Sequence, residues 1–421
     1  MRTLLLVGLL CVNFLADARK QQHRSSENGE KSYRKEWNYQ NAKVFKHASS
    51  IAHADHGFLF VLCSDGGLPS SMSCDVKLDV PVDAWNSSKS SKSSCKLNLS
   101  ADLGHELTGI VSVERFLGLS GAIVVWWQRL KDSQYQVHKI GLSLVSLPTC
   151  HTRQLDYPVD VEKRVVLSNV IVYPHGFDVI VTNEDTCRPA NATTCRISHD
   201  QDGQRVGTPA AFPLANFDRV TSLAASPDSP KNGFYVYGTD VVSWKFRSML
   251  VGADGALVPL MSAHGVSDPR QLLHATSNAN GLYGVCVLGD GRFHCAQLDD
   301  RAGVRMDTDV VVESAQWAAL YNVAEDEALL AYGACNGNNK NCKEVRVARV
   351  RDGEGSPARV WRLDLKCHDV PGRLAVEIGE TGGDFCFYFA CSHEVSGGGD
   401  QAAVRSVVKY NVRCMPKSQF A

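Results

Sequence analysis

The residues that could do chemistry are sorted by their spacing, and cysteine leads. Four pairs stand 7 to 11 residues apart: Cys63 with Cys74, Cys187 with Cys195, Cys286 with Cys295, and Cys335 with Cys342. Directly opposed residues of an antiparallel ladder have Cα atoms about 4.5 to 5.5 Å apart, within disulfide reach, so each pair reads as a staple across a hairpin. Cys95 is assigned to Cys150. Cys367, Cys386, Cys391 and Cys414 stay open among three connectivities. The rival chemistry is zinc binding, but no Cys-x2-Cys spacing occurs and an exported chain oxidises its thiols.

Other groupings are weaker. His53-Ala54-Asp55-His56 collects three metal-ligating side chains just before an apolar run, a string that a polar loop ahead of a buried strand also produces. Asp200-Gln201-Asp202-Gly203 has the opening of a calcium loop without its later ligands or bidentate Glu, so it reads as a turn. Carboxylates at Glu184-Asp185, Asp299-Asp300 and Glu325-Asp326-Glu327 fall at segment boundaries, and a glycoside-hydrolysing pair would have to be assembled across loops. Gly118-Leu119-Ser120-Gly121 misses the Gly-x-Ser-x-Gly spacing of a nucleophile elbow, and His105-Glu106 has no second histidine in register. A non-enzymatic protein is expected, with no metal or other cofactor. Trp126-Trp127 point to opposite sides of a strand and read as packing, whereas Trp85, beside a Ser/Lys-rich loop, reads as an exposed contact residue.

A repeat must position all of these. Short, nearly unbroken apolar runs begin at Gly57, Gly121, Gly176, Gly233 and Gly281, then in weaker form at Ala328 and Gly383, with spacings of 47 to 64 residues. Runs such as Ala122 to Trp127 and Phe385 to Ala390 are apolar on both strand faces, so both faces must be buried. Val345 to Arg351 alternates, as a half-exposed strand does. A unit of about fifty residues cannot bury its apolar face alone, and β-units stacked in a ring make a propeller. The fold class is therefore all-β: a β-propeller of seven blades, each an antiparallel four-stranded sheet with disulfide-stapled hairpins. The last blade leaves an open edge. Ala42 to His47, with Val44 and Phe45 inward, is expected to add the closing strand to the blade that holds Phe385 to Ala390.

Residues 1–18 read as a signal peptide, with Arg2, an apolar stretch from Leu4 to Leu15, and the small-x-small site Ala16-Asp17-Ala18. That stretch is shorter than the roughly 20 residues a membrane span requires. Removing it takes Cys11 and leaves fourteen of the 15 cysteines, an even number suited to an oxidising compartment. Glycan acceptors at Asn86, Asn98 and Asn191, each expected in a polar loop, agree with a secreted, extracellular protein. Residues 19–40 read as a polar basic arm, 41–414 as a single propeller domain, and 415–421 as a tail. A formal charge of −1, without a basic stripe, excludes nucleic acid as a partner.

The leader from Leu4 to Ala18, the repeats across the mature chain and stapled hairpins such as Cys187 to Cys195 resemble, in architecture, secreted arthropod propellers. These are dipteran salivary proteins of the labrum-interacting type and, more distantly, the yellow and major royal jelly group. The chain departs from the yellow group in having seven units instead of six and far more cysteines. The salivary resemblance implies a non-enzymatic protein acting on a host component or on the insect's own cuticular protein, and it carries over no binding residue. The residues themselves point to an extracellular binding protein, expected to be monomeric, that holds a protein partner with loops on one face of a rigid ring. The alternatives are a small-ligand scavenger using the channel and a hydrolase acting on glycans.

Overall fold

The computed structural model describes residues 33–39, 51–54, 57–65, 70–79, 93–116, 121–131, 137–160, 169–173, 175–212, 219–225, 234–240, 245–251, 257–262, 271–275, 283–289, 291–298, 304–311, 315–335, 342–351, 360–364, 374–381, 384–395 and 405–420. After β1 (Tyr33–Tyr39) the strands come in groups. The first is β2 (Ile51–Ala54), β3 (Gly57–Asp65), β4 (Ser71–Asp79) and β5 (Ser93–Ser100). The second is β6 (His105–Phe116), β7 (Gly121–Leu130), β8 (Val137–Ser146) and β9 (Thr152–Pro158). The third is β10 (Val170–Tyr173), β11 (Gly176–Thr182), β12 (Thr194–Asp200) and β13 (Arg205–Ala211). The fourth is β14 (Arg219–Ala225), β15 (Phe234–Asp240), β16 (Lys245–Val251) and β17 (Leu257–Ser262). The fifth is β18 (Gln271–Ala275), β19 (Tyr283–Gly289), β20 (Arg292–Leu298) and β21 (Val304–Val311). The sixth is β22 (Ala315–Ala324), β23 (Glu327–Cys335), β24 (Cys342–Arg351) and β25 (Val360–Asp364). Last come β26 (Leu374–Thr381), β27 (Asp384–Val395) and β28 (Arg405–Pro416).

Each group of four is one antiparallel sheet in sequential order, and the seventh sheet among the described residues has the order β26-β27-β28-β1. First strands of neighbouring sheets lie side by side: β2 against β6, β10 against β14, β18 against β22, and β22 against β26. β26 in turn meets β2, so the ring closes and the protein is a β-propeller.

The apolar runs are the second strands of their sheets (β3, β7, β11, β15, β19, β23 and β27). A second strand has a hydrogen-bonded neighbour on each edge and another sheet against each face. Gly121 to Trp126 are accordingly buried without a break, and so is all of β11. Successive residues serve opposite seams. Val124 and Trp126 pack with Leu59 and Val61 of the first sheet, while Ile123 and Val125 pack with Phe177 and Val179 of the third. Burying each such side chain contributes about 1.5–3 kcal/mol. Gly141, opposite Trp126, admits the indole, because a Cβ there would fall 2.2 Å from the ring. Outermost β13, by contrast, exposes every residue except Pro209.

The closing strand differs from the expectation. β1 supplies it, running antiparallel to β28 from Tyr33 opposite Cys414 to Tyr39 opposite Val408. The blade is the expected one, but Ala42 to His47, with Val44 and Phe45, lies outside the described residues. Reading 19–40 as an arm overlooked Tyr33-Arg34-Lys35-Glu36-Trp37-Asn38-Tyr39, where aromatics of high strand propensity recur at even spacing among charges. That mixture suits an outer edge strand with one side toward water.

Residues 415–420 of the expected tail also belong to the ring. β28 continues to Pro416, and a 3-10 turn, Lys417–Phe420, buries Phe420. Its ring lies 4.4 Å from that of Trp361, 5.5 Å from Phe385 and 5.7 Å from Phe387. Arg349 donates to the Phe420 carbonyl, and Lys417 Nζ sits 5.4 Å over the Phe385 ring.

Five disulfides join described residues. Cys63–Cys74, Cys286–Cys295 and Cys386–Cys414 each join neighbouring strands of one sheet, Cys187–Cys195 joins the third sheet to its own β11–β12 connection, and Cys95–Cys150 links the first sheet to the β8–β9 connection of the second. Val181, not Cys187, stands opposite Cys195 in the ladder, and Cys187 closes its bridge from a helical turn. Cys335 and Cys342 stand opposite one another at the tip of the β23–β24 hairpin. Cys391 lies in β27 opposite Lys409, and Cys367 is outside the described residues. Among the described residues no helix is long and apolar enough to cross a membrane.

Candidate functional site

Antiparallel sheets in a ring send their connections to two opposite faces. One, the crossover face, carries the links from sheet to sheet and the hairpins between second and third strands. The other, the return face, carries the links between first and second and between third and fourth strands. The two are built differently.

On the crossover face the chain turns between β5 and β6 through Asp102-Leu103-Gly104. The Ala101 N–H donates to the Ser70 carbonyl of the first sheet at 2.7 Å, and the Lys131 N–H of the second sheet donates to the Gly104 carbonyl at 3.0 Å. The His105 N–H donates to the Asp102 carbonyl at 3.0 Å, and the Asp102 N–H to Oε1 of buried Gln128 at 3.2 Å. Gly104, at a φ of 80°, takes the left-handed conformation that closes the turn. Leu103 is thereby held fully in water, at 102% relative exposure. Leu130, 39% exposed, precedes Lys131, and an ion pair joins Asp102 to Lys139.

The β11–β12 connection on the same face is also rigid. It contains a short helix, α1 (Glu184–Cys187), whose N-cap Asn183 accepts from the Thr186 N–H at 2.9 Å. Asp160, from the link between the second and third sheets, accepts from Asn183 Nδ2 at 2.9 Å and from the Glu184 N–H at 2.7 Å. The 3-10 turn Arg188–Ala190 ends at Asn191, which is exposed with a φ of 49°. The second half of this connection is anchored by the Cys187–Cys195 bridge. Glu184 and Asp185 are exposed, and Asp185 pairs with Arg188.

On the return face, the β12–β13 turn tucks against the second sheet. Asp200 Oδ1 accepts from the N–H groups of Asp202 and Gln204 at 3.0 and 2.7 Å, so this carboxylate shapes a turn. Gly203, at a φ of 73°, lies against the second sheet, where a Cβ would fall 2.5 Å from Leu144 Cδ1. Arg153 of the second sheet donates to the Asp202 carbonyl at 2.7 Å. The buried Phe420 belongs to this face as well.

Three groups that the sequence did not flag lie between the faces. His199 stacks on Phe177, with ring centroids 4.7 Å apart, and its Nε2 is 2.7 Å from Tyr157 Oη of the second sheet. Burial lowers the His199 pKa to about 4 and raises that of Tyr157, so the imidazole is neutral at pH 7. Glu114, on innermost β6, is pushed up to about 7 by burial, against a hydrogen bond from Ser112. Asp178, 2% exposed, pairs with Arg196 at 3.5 Å. Hydrophobic periodicity registers only the apolar positions of a strand, so it gives no sign of polar groups such as these.

The flagged residues are dispersed. Asn98 lies on the exposed side of β5, not in a loop, and its Oδ1 accepts from Ser73 Oγ at 2.9 Å. Trp85 and Asn86 fall in the β4–β5 connection, outside the described residues. His53 lies in β2, while Asp55, His56, Asp299 and Asp300 are outside the described residues. Glu184 and Asp185 stand on the crossover face, whereas Glu325 and Asp326 form a turn on the return face. Glu327 is 8% exposed and paired with Arg349 at 2.6 Å and Arg351 at 3.2 Å. Trp126 donates to Ser143 Oγ at 3.1 Å and Trp127 to Asn169 Oδ1 at 3.0 Å, as packing residues. Among the described residues no group of three His, Cys, Asp or Glu side chains is placed to hold a metal ion.

No family model and no curated protein matches the chain. Among solved structures it is similar to the Dos1 propeller, with 8% identity, a TM-score of 0.46, and 89% of this chain and 93% of that chain covered. It is also similar to an oligogalacturonate lyase in complex with manganese, with 10% identity, a TM-score of 0.42, and coverage of 96% and 97%. The WD40 domain of coronin from Toxoplasma gondii shows 10% identity and a TM-score of 0.34 over 80% and 88%. These likenesses concern the fold alone.

Proposed function

We propose that this is a secreted, non-catalytic binding protein that holds a protein partner on its crossover face, with Leu103 as the anchor. The observation that carries this reading is Leu103 itself: a fully exposed leucine on a turn tied by backbone hydrogen bonds to two neighbouring hairpins. Single exposed apolar residues are ordinary on protein surfaces. A rigid one is different, since binding through it orders little that is not already ordered. Burying it against a partner would contribute about 1.5–3 kcal/mol. Exposed Leu130 and Lys131 follow on the hairpin whose Lys131 N–H donates to Gly104, the residue after Leu103.

The described disulfides are compatible with an oxidising, extracellular setting. Glu184-Asp185 and Glu325-Asp326 stand on opposite faces, so these two groups do not together make the carboxylate pair within about 10 Å that glycan hydrolysis needs. On the arthropod reading, the partner is a host or cuticular protein. The test is photo-crosslinking in the native fluid, with the reactive group placed at position 103 or, as control, at position 202 on the return face. A protein adduct at 103 and none at 202 is expected. Adducts at 202 alone would refute the assignment.

A further inference from the structure

Among the five described bridges, four are buried: Cys63, Cys74, Cys187, Cys195, Cys286, Cys295, Cys386 and Cys414 are 0 to 5% exposed. Cys95–Cys150 differs in three respects. It alone of the five joins two sheets, tying β5 to the β8–β9 connection. Cys95 is fully buried, but Cys150 is exposed. Cys150 also has a φ of 54°, in the left-handed region that a residue with a Cβ occupies under strain.

We propose that Cys150 is a thiol-exchange site, at which a dithiol reductant opens Cys95–Cys150 while the buried bridges stay closed. A reductant thiolate attacks Cys150 Sγ, the bond to Cys95 breaks, and Cys95 leaves as a thiolate that takes a proton from solvent. Cys95 Sγ lies 3.4 Å from the Leu147 carbonyl oxygen, so the new thiol has an acceptor in place. The second thiol of the reductant, as its thiolate, then attacks its partner sulfur in the mixed disulfide and releases Cys150 as a thiolate, which is protonated. The protein bridge has gained two electrons and two protons, and the reductant has become a disulfide. Attack from the Cys95 side is blocked by burial. The outcome is a first sheet whose outer strand is no longer tied to the second, in a ring otherwise intact.

The test treats native, oxidised protein with limiting dithiothreitol well below its melting temperature, traps freed thiols by alkylation, and maps them by peptide mass spectrometry. Cys95 and Cys150 are expected to be trapped at least about tenfold faster than the eight cysteines of the buried bridges. Equal rates, or earlier opening of a buried bridge, would overturn the proposal. Hydrogen exchange on the partly reduced protein is expected to quicken in 93–100 and 146–152 and to stay unchanged in 57–65 and 283–298. The double variant Cys95→Ser with Cys150→Ser is expected to fold and show the same local quickening. Exchange that quickens throughout the ring, in the variant or the partly reduced protein, would contradict the proposal.

Discussion

The crossover and return faces use the same material to opposite ends. On the return face, one turn and the chain end point inward, while the turns at Cys150 and Glu325-Asp326 stay exposed: Gly203 closes on Leu144, and Phe420 enters an aromatic cluster with Trp361, Phe385 and Phe387. On the crossover face, the backbone is equally well satisfied, but the side chains point out. Leu103 is the extreme case, with polar backbone groups paired on three sides and an apolar side chain in water. The difference separates what holds the ring from what the ring presents. Substitutions on the return face or in the seams should cost stability, and substitutions at Leu103 should cost binding only.

Phe420→Ala should have the largest effect. Loss of a buried aromatic that touches three others is expected to destabilise by about 3–5 kcal/mol, measured by urea denaturation. A change under about 1 kcal/mol would return residues 415–421 to the status of a loose tail.

Next comes the seam between the second and third sheets. The folded-state pKa of His199 is depressed from the ordinary 6.5 to about 4, so between these values the unfolded chain binds more protons. Its contribution is complete above pH 6.5 and is lost as pH falls toward 4, by up to about 1.4 kcal/mol per pH unit. Glu114, raised from 4.5 to about 7, acts with the opposite sign, its contribution falling as pH rises through that window. The His199 share is therefore read as wild type minus His199→Gln in denaturation series from pH 4 to 7. A difference that stays flat with pH would remove His199 from the seam.

Gly203→Ala is expected to cost about 1–3 kcal/mol, because alanine must adopt a positive φ and its Cβ meets Leu144. Thermal melting would detect it. An unchanged melting temperature would mean that the return-face turn does not seal the seam.

Much of the scaffold was legible in the sequence, because burial on both faces writes a continuous apolar run and β3, β7 and β11 each show one. Hairpin bridges such as Cys63–Cys74 were legible for the same kind of reason, since proximity in sequence and in the ladder coincide. The closing strand was obscured because an edge strand needs only one dry side, so Arg34, Lys35 and Glu36 made β1 look like a solvated arm. Phe420 was missed because a single aromatic in a polar tail has no period. Leu103 was overlooked for a related reason. Asp102-Leu103-Gly104 is an ordinary turn signal, and only the surrounding hydrogen bonds make its leucine a fixed projection.

The separation of the two faces is tested most directly by Leu103→Asp, with stability and partner binding measured on the same preparation. A stability change within about 0.5 kcal/mol is predicted, as for a surface site. Together with that, affinity for the partner trapped at position 103 should fall at least about tenfold, the equivalent of 1.4 kcal/mol. Unchanged affinity, or a loss of binding that only follows a loss of stability, would contradict the account.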